Sequence, residues 1–258
     1  MVNNAVDFGV CRLSAVTVMQ SPGWSGTQIT QLLFGEHYVV LERAASGWLR
    51  IHSPVVDKEG WIQSAQHHSI EQQYFNLITQ SDFRITTEIA STLLYRKSTV
   101  NINIGSVVPL SVGELFKVEE QLAFNGEAKV LSQRRDGEFI CTIAARFLNV
   151  PERAGGRTPQ GIDAEAWIRL VYRIAGYPLD AQSLNASGKG IEPLEALPGD
   201  LVVLSSGKQT RPGILISGFR VIHCEGLVRI DPLNDGALTD GQSRPTGWNV
   251  GEYRRVRS

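Results

Sequence analysis

Three cysteines are the side chains that could act as thiol nucleophiles, a role that needs a histidine within hydrogen-bond reach. Cys224 directly follows His223, but neighbouring residues of a strand point to opposite faces, which argues against a contact between these side chains. Cys11 and Cys141 lie in apolar segments, which is typical of buried structural thiols. No cysteine has a metal-ligand spacing such as C-x-x-C, so the sequence predicts neither a metal site nor another cofactor.

The composition excludes several classes of partner. The chain of 258 residues carries 25 basic and 26 acidic residues, which are mixed along its length. No field of one sign is therefore available to attract nucleic acid or an anionic membrane. The N-terminus lacks a basic segment followed by an apolar core, and no run approaches the roughly 20 apolar residues of a membrane span. These features predict a cytoplasmic protein.

Short β-rich runs separated by glycine turns fill the first half of the chain. Between residues 5 and 65 they recur at intervals of about ten residues, which is typical of a small barrel or sandwich. The runs between residues 69 and 136 repeat this style with a less regular pattern. We therefore expect two small β-domains, over residues 1–68 and 69–136.

The spacing of the apolar residues changes after residue 136. Ile140, Ala144 and Phe147 recur at helical spacing, which predicts one helix. A second helix is predicted with Asp163 as its N-cap and Gly176 just after its end. Beyond residue 197, extended runs are joined by glycine turns. Two helices packed on an antiparallel sheet make an α+β domain over residues 137–258.

The segments "ALPGDLVVL" and "RPGILISGFRVIHCEG", and the approach "AARFLNVPERAGGRTPQGID" to the second helix, carry a family resemblance. Together they resemble the NlpC/P60 family of papain-like cysteine peptidases, which cut γ-D-glutamyl bonds in bacterial cell-wall peptides. The earlier "TQLLFGEHYVVLE" and "GWLRI" resemble bacterial SH3 domains. The resemblance implies two N-terminal SH3-like barrels followed by a papain-like α+β domain.

The catalytic residues that this resemblance implies are missing. The family keeps a D-C-S-G tetrad at the start of the helix, where the helix N-terminus lowers the pKa of the thiol. Here the tetrad reads Asp163, Ala164, Glu165, Ala166, and Ala164 cannot form an acyl-enzyme. The family histidine that accepts the thiol proton corresponds to Arg211, which stays protonated and cannot act as a base.

Other positions of the family pattern point the same way. The third, orienting residue of the triad corresponds to His223, which is retained. In the P-Y-x-W-G-G motif, Glu152 and Ala154 replace the two aromatic residues that help to shape the substrate groove. Because several positions depart together, the pattern favours a natural non-catalytic member.

The acidic residues around the former nucleophile are candidates for retained binding. The resemblance implies that Asp163 helps to bind the free amine of a peptide, although a helix N-cap explains this residue equally well. Glu165 and Glu152 complete the candidate groove. We also hypothesise that Arg211 pairs with Glu165 or Asp163, because opposite charges replace two residues that touch in active relatives.

These residues predict a catalytically inactive homologue of a cell-wall peptide endopeptidase that binds a murein-derived peptide or a protein partner. One alternative is an active murein-peptide hydrolase with a non-standard nucleophile such as Cys224. A structural or assembly scaffold is the other.

Overall fold

The computed structural model describes residues 7–109, 116–117, 122–179, 184 and 187–257. The chain divides into two compact units. The first comprises Met1–Leu131 and Ala154–Pro159, and the second comprises Ser132–Arg153 and Gln160–Ser258. The described residues combine helices and strands, so the fold is mixed α and β. The division into three domains stays a prediction.

The first unit opens with an antiparallel sheet of seven strands in the order β3-β2-β6-β5-β4-β1-β7. Apolar side chains on one face form its core, among them Val16, Leu32 and Ile51. The strands are β1 (Asp7–Val10), β2 (Ala15–Met19), β3 (Gln28–Leu33), β4 (His37–Arg43), β5 (Trp48–Ser53), β6 (Lys58–Gln63) and β7 (Ser69–Ile70).

Between residues 71 and 131, the described residues of the first unit form one α-helix, α1 (Gln72–Gln80), and seven short strands. They form a four-stranded sheet, β10-β9-β13-β12, and a three-stranded sheet, β11-β8-β14. The strands are β8 (Arg84–Thr86), β9 (Ala90–Tyr95), β10 (Ser98–Asn103), β11 (Val107–Val108), β12 (Phe116–Lys117), β13 (Leu122–Asn125) and β14 (Ala128–Val130). Parts of the predicted second β-domain, residues 110–115 and 118–121, lie outside the described residues.

The described residues do not confirm a second SH3-like barrel. Phe34, which follows β3, is fully buried in the same apolar cluster as Leu93 and Ile102 of the later sheets. The backbone of Gly35 packs directly against that of Val107 in β11. A Cβ at position 35 would lie only 1.8 Å from the Val107 carbonyl oxygen. Phe34 therefore contributes to the core of the later sheets, and the described residues between 7 and 130 belong to one compact unit.

The short strand β15 (Arg157–Thr158) also belongs to the first unit, although the residues on both sides of its segment belong to the second. The Arg157 guanidinium donates to both carboxylate oxygens of Glu36, at 2.6 and 2.8 Å. Both side chains are buried, and the Leu33 N–H also donates to Glu36. A buried charge of this kind is tolerated only when it is paired and hydrogen-bonded.

The second unit contains two helices and eight strands within its described residues. The helices are α2 (Gly137–Ala145) and α3 (Ala164–Ile174), and both confirm the sequence predictions. The strands are β16 (Gly161–Ile162), β17 (Lys189–Ile191), β18 (Leu201–Ser206), β19 (Gln209–Ile216), β20 (Arg220–Glu225), β21 (Leu227–Asn234), β22 (Ala237–Thr239) and β23 (Pro245–Arg255).

The last six strands close into a barrel, which the sequence analysis did not predict. The order is β23-β18-β19-β20-β21-β22, and β22 pairs with β23 to complete the ring. Its interior holds a cluster of apolar side chains that includes Val202, Leu204 and Val221. Helix α3 packs on the outside of the barrel against β19 and β20.

A buried carboxylate fastens the end of β23 and the residues beyond it to the start of β18. Asp200 is fully buried and accepts hydrogen bonds from Arg255, from Arg257 and from the Leu197 N–H. Burial raises the pKa of Asp200, but the bonds from Arg255, Leu197 and Arg257 lower it below its ordinary value. This carboxyl group is therefore held as a carboxylate in the folded unit.

Candidate functional site

The former nucleophile position lies at the start of α3. Asp163 is the N-cap, and its Oδ1 accepts the N–H groups of Glu165 at 3.0 Å and Ala166 at 3.2 Å. This confirms the predicted N-cap. Ala164 occupies the first helical position and is partly exposed, but its methyl group carries no lone pair. The Ala164 side chain therefore offers no group that could attack a carbonyl carbon.

Arg211, at the position of the family base, lies in β19 and pairs with Glu152. Its Nη1 donates to Glu152 Oε1 at 2.7 Å and to the Cys224 carbonyl oxygen at 2.8 Å. The second carboxylate oxygen of Glu152 accepts the Gly226 N–H at 2.8 Å. The Arg211 guanidinium also lies over the Trp248 ring, 5.6 Å from its centroid. Three kinds of contact therefore hold this cation in place.

The hypothesis that Arg211 pairs with Glu165 or Asp163 is wrong, because its ion-pair partner is Glu152. Asp163 turns its Oδ1 toward the first turn of its own helix. The Glu165 side chain is largely exposed and approaches Arg169, one turn along the helix, at 3.9 Å. The charges at these two positions thus serve the helix, while the replacement in the P-Y-x-W-G-G motif supplies the carboxylate for Arg211.

His223, the retained third position, is bound to a carboxylate inside the barrel. Its Nε2 lies 2.9 Å from Asp231 Oδ2, and both side chains are buried. Arg229 donates to the other oxygen of Asp231. Burial raises the pKa of Asp231, but the bonds from His223 and Arg229 lower it below its ordinary value. Asp231 is therefore ionised, and we assign the proton to His223 Nε2.

The structure brings Arg211 and Glu152 into contact, and it places His223 in a separate polar cluster with Asp231. Register places these residues on the same face of the sheet, because His223 pairs with Gly213 of β19 and with Arg229 of β21. The two clusters are separated by their carboxylate partners, Glu152 and Asp231. Side chains alternate along a strand, so Arg211 and Gly213 share one face, as do Arg229 and Asp231.

Sequence reasoning missed Asp231, Arg229, Trp248 and Glu225 as members of this region. Trp248 donates its Nε1–H to Glu225 Oε1 at 2.7 Å. The available signal was the alternation in "VRID", where Arg229 and Asp231 share a face. That signal gains meaning only when the pairing of β20 with β21 is known.

All three thiols are poorly suited to nucleophilic attack. Burial raises the pKa of Cys11 and of Cys224 to about 12 and that of Cys141 to about 11. Glu152 and Asp163 raise the pKa of Cys224 further, although Arg211 lowers it. The thiolate is the reactive form, so these thiols are unreactive near neutral pH.

The described ranges contain neither a cluster suited to a metal ion nor a helix suited to a membrane span. Among the described residues, no group of three or more His, Cys, Asp and Glu side chains could hold a metal ion. None of the described helices has the length and apolar character of a membrane span.

In comparisons with known proteins, one domain family matches near the N-terminus and one relative matches most of the chain. The family described as the bacterial dipeptidyl-peptidase SH3 domain matches residues 18–66. The γ-D-glutamyl-L-lysine dipeptidyl-peptidase of Bacillus subtilis (strain 168) is 26% identical over 217 residues, which cover 75% of this chain and 71% of that protein.

Two solved structures have a similar fold. An NlpC/P60 family protein from Bacillus cereus ATCC 10987 gives a TM-score of 0.77 at 17% identity and covers 96% of this chain and 99% of its own. An NlpC/P60 endopeptidase from Photobacterium damselae subsp. piscicida gives a TM-score of 0.64 at 12% identity, with 98% and 66% covered.

The fold is therefore that of NlpC/P60 proteins with an SH3-like N-terminal domain. The SH3 match, the similar Bacillus subtilis protein and the fold agree with one another, which confirms the resemblance of the sequence motifs to NlpC/P60 proteins with a bacterial SH3 domain.

Proposed function

We propose that this chain is a non-catalytic NlpC/P60 homologue that binds a murein-derived γ-D-glutamyl peptide. The Arg211–Glu152 ion pair is the observation that carries the proposal. It puts a permanent cation, already engaged with a carboxylate, at the position where the family has its proton acceptor. Ala164 removes the nucleophile as well. In active members of the family, a proton passes from the thiol to the histidine, and both of these groups are replaced here.

The rival function, hydrolysis by a non-standard nucleophile, lacks a suitable thiol among the described residues. Cys224 is the thiol whose pKa responds to Glu152, Arg211 and Asp163, so it lies nearest to the former site. It is fully buried, its pKa is raised to about 12, and His223 beside it is bound to Asp231. Nucleophilic catalysis needs the opposite, a thiol activated by a base.

The ligand class comes from the relative. The Bacillus subtilis protein is named for a γ-D-glutamyl-L-lysine peptide bond. The same class of peptide is the first choice for this homologue, because the SH3 match and the fold extend over both ends of the chain.

The decisive experiment incubates the purified protein with L-Ala-γ-D-Glu-L-Lys and measures both hydrolysis and binding. We expect no dipeptide release above the buffer blank by mass spectrometry, together with saturable binding by calorimetry. Hydrolysis that Cys224→Ala abolishes would establish the non-standard nucleophile, and hydrolysis that survives it would also overturn the proposal. Absence of both hydrolysis and binding would remove the peptide ligand and leave the scaffold alternative.

A further inference from the structure

One edge of the Arg211 guanidinium is unused. Both hydrogen bonds of this side chain to other residues come from Nη1. Its Nε and Nη2 have no hydrogen-bond or ion-pair partner within the part of the chain that the structure describes. These two nitrogens donate in parallel from one edge of the planar group, which is the geometry that binds a carboxylate through two bonds.

The same contacts that occupy Nη1 also fix the direction of the free edge. Glu152 and the Cys224 carbonyl oxygen hold one end of the guanidinium, and the Trp248 ring supports its face. The Arg211 side chain remains 29% exposed. A donor pair that is fixed before binding loses less conformational freedom when a ligand arrives.

The neighbouring acids are already engaged. Glu152 divides its two oxygens between Arg211 Nη1 and the Gly226 N–H, so it is held away from the free edge. Glu225 accepts the Trp248 Nε1–H through Oε1. We propose that the Nε and Nη2 edge of Arg211 is a binding site for a carboxylate of the ligand. This inference rests on the proposed function, since it names the group by which a peptide would be recognised.

A γ-D-glutamyl peptide offers two sources of this group. The γ-linkage uses the side-chain carboxyl of D-Glu and leaves its α-carboxylate free, and the peptide also ends in a carboxylate. Both present the same planar pair of oxygens to Arg211. The choice between them is therefore made by comparing peptides in which one carboxylate at a time is converted to an amide.

The first test uses sodium acetate as the probe and follows the Arg211 Nε–H signal by NMR. We expect a saturable shift of this signal in the native protein and equal affinity in Asp235→Asn, which removes a negative charge at an exposed turn and leaves the contacts of Arg211 intact. Arg211→Lys keeps the positive charge but removes the pair of parallel N–H donors. In this variant we expect no saturable shift of the NMR signals of residue 211 or its neighbours. Backbone spectra of the variants report whether each is folded.

Two results would overturn the inference. The first is an Arg211 Nε–H signal that does not shift at any acetate concentration. The second is an acetate affinity that is the same in folded Arg211→Lys as in the native protein. Neither result depends on peptide binding, so the inference and the proposed function fail separately.

The second test compares L-Ala-γ-D-Glu-L-Lys with its two monoamides by calorimetry. We expect Arg211→Lys to lower the affinity for the parent peptide by about tenfold, since hydrogen bonds between charged groups are stronger than those between neutral groups. The peptide in which the bound carboxylate is replaced by an amide should bind the native protein about tenfold more weakly than the parent peptide. Arg211→Lys should not change the affinity for this monoamide. If the parent peptide binds and Arg211→Lys leaves its affinity unchanged, peptide binding stands and the Arg211 site is refuted.

Discussion

At the first position of α3, the side chain of Ala164 is partly accessible and follows directly on the Asp163 cap. The unpaired N–H groups of a helix start favour a thiolate at this position, which is why the family places its nucleophile there. We propose that the helix start of that site is retained in this chain, with Ala164 and Arg211 in the places of the thiol and its base. A thiol restored by mutation should therefore be reactive without being catalytic.

We expect Ala164→Cys to take up one iodoacetamide adduct near neutral pH, because the added thiol is accessible and lies at a helix N-terminus. The native protein is the control, since its three thiols have pKa values raised to about 11 or 12 by burial. Intact-mass spectrometry over time measures the rates. The variant should still release no dipeptide, because Arg211 accepts no proton. Equal labelling of both proteins would contradict the expectation.

At the scale of single residues, the sequence was sufficient to predict contacts between residues that are close together in the chain. The Asp163 cap depends on two residues of its own helix and was predicted from the sequence. The partner of Arg211 depends on where the segment that carries Glu152 meets β19, more than 50 positions along the chain. Charge sign alone could not choose among Glu152, Asp163 and Glu165.

At the scale of elements, the Arg157–Glu36 pair is the buried ion pair that, together with hydrogen bonds from Arg157 to Gln31, holds β15 in the first unit. Replacing one member leaves the other charge buried and unpaired, and losses of about 3–5 kcal/mol are typical of such changes. We expect Glu36→Gln to lower the free energy of unfolding by an amount in this range. Urea unfolding, followed by far-UV circular dichroism, measures it.

The matched control is the double variant Glu36→Gln with Arg157→Met, in which no unpaired charge remains. We expect it to be more stable than Glu36→Gln alone, since apolar replacement of a buried pair is often nearly neutral. A double variant less stable than either single variant would show that the pair is not the dominant contact.

Strands and helices were predictable from periodicity, but their closure into a barrel was not. The pattern in "GDLVVLSS" or "FRVIHCEG" indicates a strand and says nothing about which strand lies beside it. The ring closes through the pairing of β22 with β23, where the register shifts between Ala237 and Thr239. The second SH3-like barrel, which the described residues do not confirm, is a related case, because a strand pattern does not specify that Phe34 packs against Leu93 and Ile102.

At the scale of the whole molecule, Asp200 ties the C-terminal strand to the body of the second unit and makes its stability depend on pH. The folded pKa of Asp200 lies below its ordinary value of 3.8. Its contribution is therefore complete above about pH 4 and is lost as the pH falls through the folded pKa.

We expect Asp200→Asn to destabilise the second unit at pH 7 and to flatten its loss of stability between about pH 5 and pH 2. Near-UV circular dichroism, which follows Trp248 and the other aromatic residues, measures thermal unfolding at each pH. The native protein and Asp235→Asn, which changes an exposed turn carboxylate, serve as controls. An acid transition as steep in Asp200→Asn as in the native protein would assign the effect to other carboxylates.

The position of β15 has a consequence for how this chain can be divided. Residues 154–159 belong to the first unit, whereas residues 132–153 and those from 160 onward belong to the second. A fragment that ends at residue 131 would contain Glu36 without Arg157, and a fragment that begins at residue 132 would carry Arg157 without its carboxylate. No single cut of the polypeptide yields two complete parts, so the SH3-bearing unit becomes whole only after the chain has been synthesised past residue 159.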